Sequence, residues 1–456
     1  MKIFRPFLLT VCALPWLAGC VAPSSSETAA RTDVQAVGDR LRPAGRAPVL
    51  PELRPDSPLP DYLRFALLNH PQVAAAYLEW RGAVAAIAPA RALPDPQLTF
   101  QADLTSSLTS LMPGLMFNFM AAGKRAAMAG EAEAASEVAR RRYVTTVLQT
   151  AAGVKQSWAD LTALEETLRL KREALTTLDQ ARQFSHAEHV TTHVMGSLDA
   201  LAKLETDSGR LRLDLANLED QRGVFRAAFK SALGLARTAP DPAWPAHFTP
   251  SPAADLSDDA FWNATAAANP RLGEMRAMVG MAVAQVAVAE QTRTPDFSLG
   301  SMVDLKTTPL LWRPLATLTL PWWRDKIAAT VSAAQDRRDA ADARFRAEEL
   351  MVAADFARMT SMVRAADRMV AYLDTTALPG LARTLATLEA AYETGMSGFA
   401  MIPETRLMAV DLQLERIAAL RDREKTLAEL SLLIAGQPPA GAPLDRAATL
   451  AAARQP

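Results

Sequence analysis

Cysteine is nearly missing from this 456-residue chain: there are two, Cys12 and Cys20, and the first lies in a segment expected to be removed. A mature chain with one cysteine has no internal disulfide to hold it, even in a compartment that permits one. Surplus charge is missing too, with 49 Lys and Arg against 50 Asp and Glu. A formal net charge of −1 offers no cationic face to phosphates, which disfavours a nucleic-acid binder. Catalytic signatures are also lacking. There is no Gly-x-Ser-x-Gly, Cys-x-x-Cys or His-Glu-x-x-His, and the Gly123-Lys124 pair lacks phosphate-loop spacing and a following Ser or Thr. Nothing supports an enzyme, and no cofactor is expected. What is present is 50% hydrophobic, 22% charged and only 6% aromatic, the balance of a packed protein.

No stretch at the N-terminus is long enough to remain in a bilayer. Lys2 and Arg5 precede an apolar run from Phe7 to Trp16, the length of a secretory signal. It ends in Leu17-Ala18-Gly19-Cys20, which resembles a bacterial lipoprotein signal, so residues 1–19 are expected to be cleaved and Cys20 to carry lipid. Val21, rather than Asp, after the cysteine implies by the same resemblance an outer-membrane destination and contact with outer-membrane lipid. Residues 20–58 then read as a Pro-, Ser-, Ala- and Arg-rich tether without hydrophobic period, and folding is expected to start near Leu59.

The strongest organisational signal is a plan written twice. Asn69-His70-Pro71 returns as Asn269-Pro270, Pro94-Asp95 as Pro295-Asp296, Lys124-Arg125 as Asp325-Lys326, and Leu233-Gly234 as Ala435-Gly436. The interval drifts only from 200 to 202 residues. This sets a first repeat at 59–240, a second at 241–438, and a tail at 439–456. Each copy reads as helix, two short strands, a very long helix, a turn and a returning helix.

The strands rest on period-two alternation. Leu98, Phe100, Ala102 and Leu104 interleave with Gln97, Thr99, Gln101 and Asp103; Phe297, Leu299, Val303 and Leu305 interleave with Ser298, Gly300 and Asp304. Leu115, Phe117 and Phe119, then Ala316, Leu318 and Leu320, supply the second strand of each hairpin. A sheet with one apolar and one polar face suits lipid on one side and water on the other, although a hairpin on a soluble core has the same period. Four strands cannot close a barrel, since roughly eight are needed to enclose a filled interior, so other chains must supply the remainder. The long helices are expected from Lys124 to about His193 and from Asp325 to about Gly395. In the first, Val147, Val154, Leu161, Leu168 and Leu175 fall seven apart, a coiled-coil seam, and each helix would be on the order of 100 Å long. Pro379-Gly380 should kink or break the second.

In order, duplication and spacing these landmarks resemble the bacterial outer-membrane efflux proteins of the TolC type, from Leu59 to Gly436. The carrying motifs are the paired Asn-Pro helix starts, Ala90-Arg91-x-x-Pro94-Asp95-Pro96, Leu320-Pro321, and Tyr392-Glu393-Thr394-Gly395 before a Leu-rich helix. The resemblance implies a mainly α chain with a small β part: three copies, each giving four strands, make a twelve-stranded outer-membrane β-barrel continued by an α-helical periplasmic tunnel. It also implies a homotrimer that meets a periplasmic adaptor protein and, through it, an inner-membrane pump of the RND type. The tips would be marked by Tyr392 and Gly395 in the second repeat and by the divergent His193 and Gly196 in the first. Glu404 would stand at the pore constriction, with Met401 at the other acidic position of the family.

Two sets of side chains bear on cargo. His186, His189 and His193 share one helix face at i, i+3 and i+7 and could offer imidazoles to a heavy-metal cation. Met112, Met116 and Met120, and Met351, Met359, Met362 and Met369, are thioethers that a soft metal would favour and a core would use equally well. Trp312, Trp322 and Trp323 flank the fourth strand as an interface belt would. The competing class is a structural or adaptor periplasmic coiled-coil lipoprotein without a pore. That class calls for neither alternating strands nor a twofold repeat around them.

Overall fold

The computed structural model describes residues 22–104, 108–192, 196–245, 248, 250, 251, 262, 268–394 and 401–434. Cys20, His193, Gly395 and the tail expected at 439–456 lie outside them. The elements are α1 (Ser25–Leu41), α2 (Leu59–Asn69), α3 (Pro71–Ala85), α4 (Ile87–Arg91), β1 (Gln97–Leu104), β2 (Leu108–Phe119), α5 (Ala122–Thr192) and α6 (Gly196–Ala232). The second copy gives α7 (Pro270–Glu290), β3 (Asp296–Asp304), β4 (Leu311–Thr319), α8 (Arg324–Tyr372), a π-helical turn (Leu373–Ala377), α9 (Leu378–Glu393) and α10 (Met401–Ile434). The chain is mainly α with one small antiparallel sheet, as expected. It divides into two compact units, one of Met1–Gly38, Ala76–Tyr143 and Leu272–Glu348, the other of Asp39–Ala75, Val144–Arg271 and Glu349–Pro456.

In the first unit the four strands pair in the order β1-β2-β3-β4, each antiparallel to the next. Register places Leu98 beside Leu115, Phe117 beside Leu299 and Phe297 beside Leu318, so apolar residues share one face. Lys124 and Asp296, landmarks from different copies, form an ion pair at 2.6 Å where the strands meet the helices. Residues 25–41, read from sequence as part of a tether, are instead a helix. Glu27, fully buried, ion-pairs with Arg31 at 2.6 Å and Arg91 at 2.9 Å. The hydroxyls of Ser24 and Ser26 donate to the Glu133 carboxylate. Val34 and Val37 are buried, and Gly38 lies where a Cβ would come within 2.3 Å of the Tyr77 hydroxyl oxygen. Val34, Val37 and Leu41 dock this helix together with Glu27, the two serines and Gly38, and the polar and small members obscure a short apolar stripe.

The second unit is held by the helical seam. Val147, Val154, Leu161 and Leu168 are buried, and Leu175 packs beside Leu164, Leu168 and Leu215. Tyr62, Leu63 and Ala66 of α2 join Val154, Trp158, Leu161 and Phe229 in one cluster. Burial pushes the Tyr62 hydroxyl up to about 12 while it donates to the Arg54 and Ala243 carbonyls. Two of the repeat landmarks touch here: the Asn69 amide donates to the carbonyls of Leu233 (3.0 Å) and Gly234 (3.1 Å). Gly234 closes α6 with φ +73°, and Leu235 N–H returns to the Lys230 carbonyl.

The second long helix is interrupted, and the interruption is a π turn just before Pro379. Proline has no N–H to offer the Thr375 carbonyl, and Leu378 N–H reaches back five residues to Leu373 instead of four. The helix therefore continues as α9 rather than breaking. The second copy also carries one residue more than the first between Lys326 and Gly395, counted against Arg125 and His193. A π turn takes up one extra residue in a helix. Three arginines tie α10 to this helix: Arg423 to Asp367 (2.5 Å), Arg416 to Asp374 (2.5 Å) and Arg406 to Glu389 (2.8 Å).

Gly234→Ala should be among the costliest single-methyl additions in the chain. Its Cβ would lie 2.7 Å from the His70 Cα, and the left-handed backbone alone costs about 1–3 kcal/mol. Urea or thermal denaturation of the purified protein should show the loss; an unchanged midpoint would mean that the Asn69 and Gly234 contact does not set stability.

Candidate channel wall and helical tip

The wall begins with side-chain alternation. On the apolar face Leu98 (66% exposed) and Phe100 (69%) lie uncovered, as do Leu115, Phe117, Phe297, Leu299 and Leu318. Trp312, Trp322 and Trp323 are exposed at and beyond the fourth strand. A protein in water buries such a set; a sheet in hydrocarbon presents it. The opposite face carries Gln97, Thr99, Gln101, Asn118, Ser298 and Thr317, with the Ser298 hydroxyl donating to the Asn118 amide oxygen at 2.7 Å. Methionines interrupt this polar face. The register sets Met302 opposite Gly114 and Met116 opposite Gly300, and a Cβ on Gly114 would lie 2.4 Å from the Met302 Cγ. The glycines thus make room for the methionine side chains, while Met112 is buried. These thioethers fill space beside glycines, the ordinary use of methionine.

Both outer strands of the sheet lack a partner on one side among the described residues: β1 pairs only with β2, and β4 only with β3. In hydrocarbon an open edge would leave a row of N–H and C=O groups without hydrogen bonds, each costing several kcal/mol.

At the tip, Tyr392 sits exposed at the end of α9, its ring 6.4 Å from that of Phe184 and nearly perpendicular to it. Gly196 opens α6. Glu404, in the first turn of α10, accepts a hydrogen bond from the Lys203 ammonium at 3.0 Å. That bond, and the carboxylate charge, hold the Lys203 pKa above the usual lysine value. The two side chains are 64% and 60% exposed, so water screens the pair. His186 is exposed on α5, and His189 belongs to the same helix. Among the described residues no three His, Cys, Asp or Glu side chains come together as a metal site would require. Of the methionines on α8, Met359 is buried and Met351, Met362 and Met369 are exposed.

Lys203 and Phe184 had no signature of their own in the sequence. Lys203 stands 201 residues before Glu404, the repeat interval, and that spacing is the one signal that could have paired them.

No protein-family model and no curated protein matches this chain. Solved structures do. CusC, studied for folding and transmembrane channel formation, is 16% identical over 82% of this chain and 91% of its own, with a TM-score of 0.70. The open-state MtrE outer membrane channel of Neisseria gonorrhoeae gives 16%, 84% and 89%, with a TM-score of 0.69. The outer membrane protein VceC of Vibrio cholerae gives 15%, 84% and 96%, with 0.66. The fold is that of the TolC-type outer-membrane channel proteins. At these identities the likeness concerns architecture.

Because the Lys203–Glu404 pair is solvated, Lys203→Ala should leave the thermal midpoint of the purified protein unchanged within measurement scatter. A clear drop would assign the pair a structural role.

Proposed function

We propose that the chain is one third of a trimeric outer-membrane channel, the passive exit duct of a tripartite efflux system. The observation that carries this reading is the sheet: one exposed apolar face, one largely polar face, and two open edges. Three four-stranded sectors close a twelve-stranded barrel and remove every edge, and the long helices continue it as a periplasmic tunnel. Lipid on Cys20 anchors each chain to the outer membrane. A periplasmic adaptor meets the tips around Tyr392, Gly395, His193 and Gly196, and an RND-type inner-membrane pump supplies the energy. The poreless coiled-coil alternative leaves the exposed apolar strand face without a purpose.

At the pore, three copies of Glu404 form an anionic ring partly neutralised by Lys203. Glu404→Gln should lower the preference for cations over anions in planar bilayers, and Lys203→Ala should raise it. Protein that stays monomeric and conducts no current would end the channel reading; conductance indifferent to both substitutions would remove Glu404 from the constriction.

Heavy-metal cations are the cargo we favour. The support is the i, i+3, i+7 spacing of His186, His189 and His193 in the sequence, with the first two on the continuous helix α5. A deletion strain should become hypersensitive to copper, silver, zinc or cobalt, and His186→Ala with His189→Ala and His193→Ala should reproduce part of that loss with the trimer intact. Sensitivity confined to antibiotics would exclude metal cargo.

A further inference from the structure

Three copies can close a barrel in several strand registers, and the fold of one chain contains the information to choose among them. The repeat relates the two hairpins residue by residue at an interval of 201. Pro94 maps to Pro295, and the paired residues Gln97 and Met116 map to the paired residues Ser298 and Thr317. Under this mapping β3 corresponds to β1 and β2 corresponds to β4. The junction inside the chain, β2 against β3, is therefore a template for the open one, β4 against β1 of the next copy. In the template Met116 pairs with Gly300, Phe117 with Leu299 and Asn118 with Ser298.

We infer that β4 of one chain pairs with β1 of the next with Thr317 opposite Thr99, Leu318 opposite Leu98 and Thr319 opposite Gln97. The inference rests on the trimeric channel reading and deepens it by naming how the copies meet.

Three features fit this register. First, it keeps the two faces intact: Leu318 meets Leu98 and Ala316 meets Phe100 on the lipid side, while Thr317 meets Thr99 on the lumen side. A slip of one residue would put Thr317 beside Leu98 or Phe100. Second, the template ladder starts at Gly114, immediately after Pro113, which has no N–H to donate. Pro314 stands at the equivalent place in β4, so the seam would begin at Leu315, opposite Gln101. Third, the closed barrel has an acceptable geometry. Following partners across the three internal junctions and the seam displaces the register by about four residues per chain. With a rise of ~3.4 Å per residue and strands ~4.8 Å apart, that corresponds to a strand tilt of ~35°, at the lower end of the observed range of roughly 35–45°. A two-residue slip in one direction would flatten the tilt to ~20°; the other would raise it to ~47°, and only experiment separates that one.

The seam also differs from its template: the stacked Phe119 and Phe297 map to Leu320 and Pro96, and an ion pair is lost as well. Asp296 is held by Lys124 inside the chain, but the residues at the matching places are Asp95 and Asp325, both exposed. The seam therefore lacks this ion pair and depends on its backbone ladder and apolar contacts.

Paired cysteines test the register directly. In one chain β1 and β4 lie three strand spacings apart, ~14 Å, beyond the reach of a disulfide, so a bond between cysteines on them must join two copies. The full-length protein carrying Thr99→Cys and Thr317→Cys, oxidised in outer membranes, should run as a covalent trimer on denaturing gels. Gln97→Cys and Gln101→Cys, each combined with Thr317→Cys, are the two-residue slips and should cross-link at least tenfold less. Leu98→Cys with Leu318→Cys repeats the test on the lipid face, should the first pair fail to assemble. Preferential cross-linking of a slipped pair in an assembled trimer overturns the register while leaving the channel reading intact. Absence of a trimer by native mass measurement overturns both.

Discussion

A backbone placed in hydrocarbon must satisfy its own hydrogen bonds, and four strands in a row cannot. The assembly we propose follows from that shortfall. The exposed apolar face of the sheet suits lipid, and its two edges, open among the described residues, suit further strands. Because strands β2 and β3 already show how one hairpin meets another, the chain carries inside itself a copy of the junction it would make with its neighbours.

The helical parts answer a different need. Alanine-rich helices bury little apolar surface each, so the second unit compensates with a regular seam and with ion pairs across it. Leu161 and Leu168 lie in that seam with no exposed surface. Along the returning helix Arg406, Arg416 and Arg423 repeat the same arrangement, a guanidinium from α10 reaching a carboxylate on the preceding helix. The two long helices are nevertheless unlike. The first is continuous over 71 residues, while the second contains the π turn that Pro379 imposes.

Much of this could be read from the residues. Strand alternation located the hairpins because a pleated sheet has a period of two whatever surrounds it. The heptad of valine and leucine located the seam for the same kind of reason. The helix at Ser25–Leu41 could not be found this way. Its docking combines the short stripe Val34, Val37 and Leu41 with a buried Glu27, two serines and Gly38 against Tyr77, and those polar and small contacts add nothing to a hydrophobic period. The break expected at Pro379-Gly380 became a π turn, since a helix with a packed neighbour can take up a missing donor by widening one turn. At the candidate site, Tyr392 and Glu404 were legible through a motif, but their partners Phe184 and Lys203 were not. Each partner lies about 200 residues away and is brought close only by folding.

By itself, then, the amino-acid order determined the periodic features: which residues form strands and which form long helices, which faces are apolar, and that the plan occurs twice. These depend on local geometry, where side-chain direction follows from position along the backbone. Tertiary structure alone decided who meets whom. It paired Lys124 with Asp296 and Asn69 with the Leu233–Gly234 turn, set the register of β2 on β3, and neutralised Glu404 with Lys203. Those contacts join residues from opposite halves of the chain or opposite ends of a repeat, and their distances are set by packing in three dimensions.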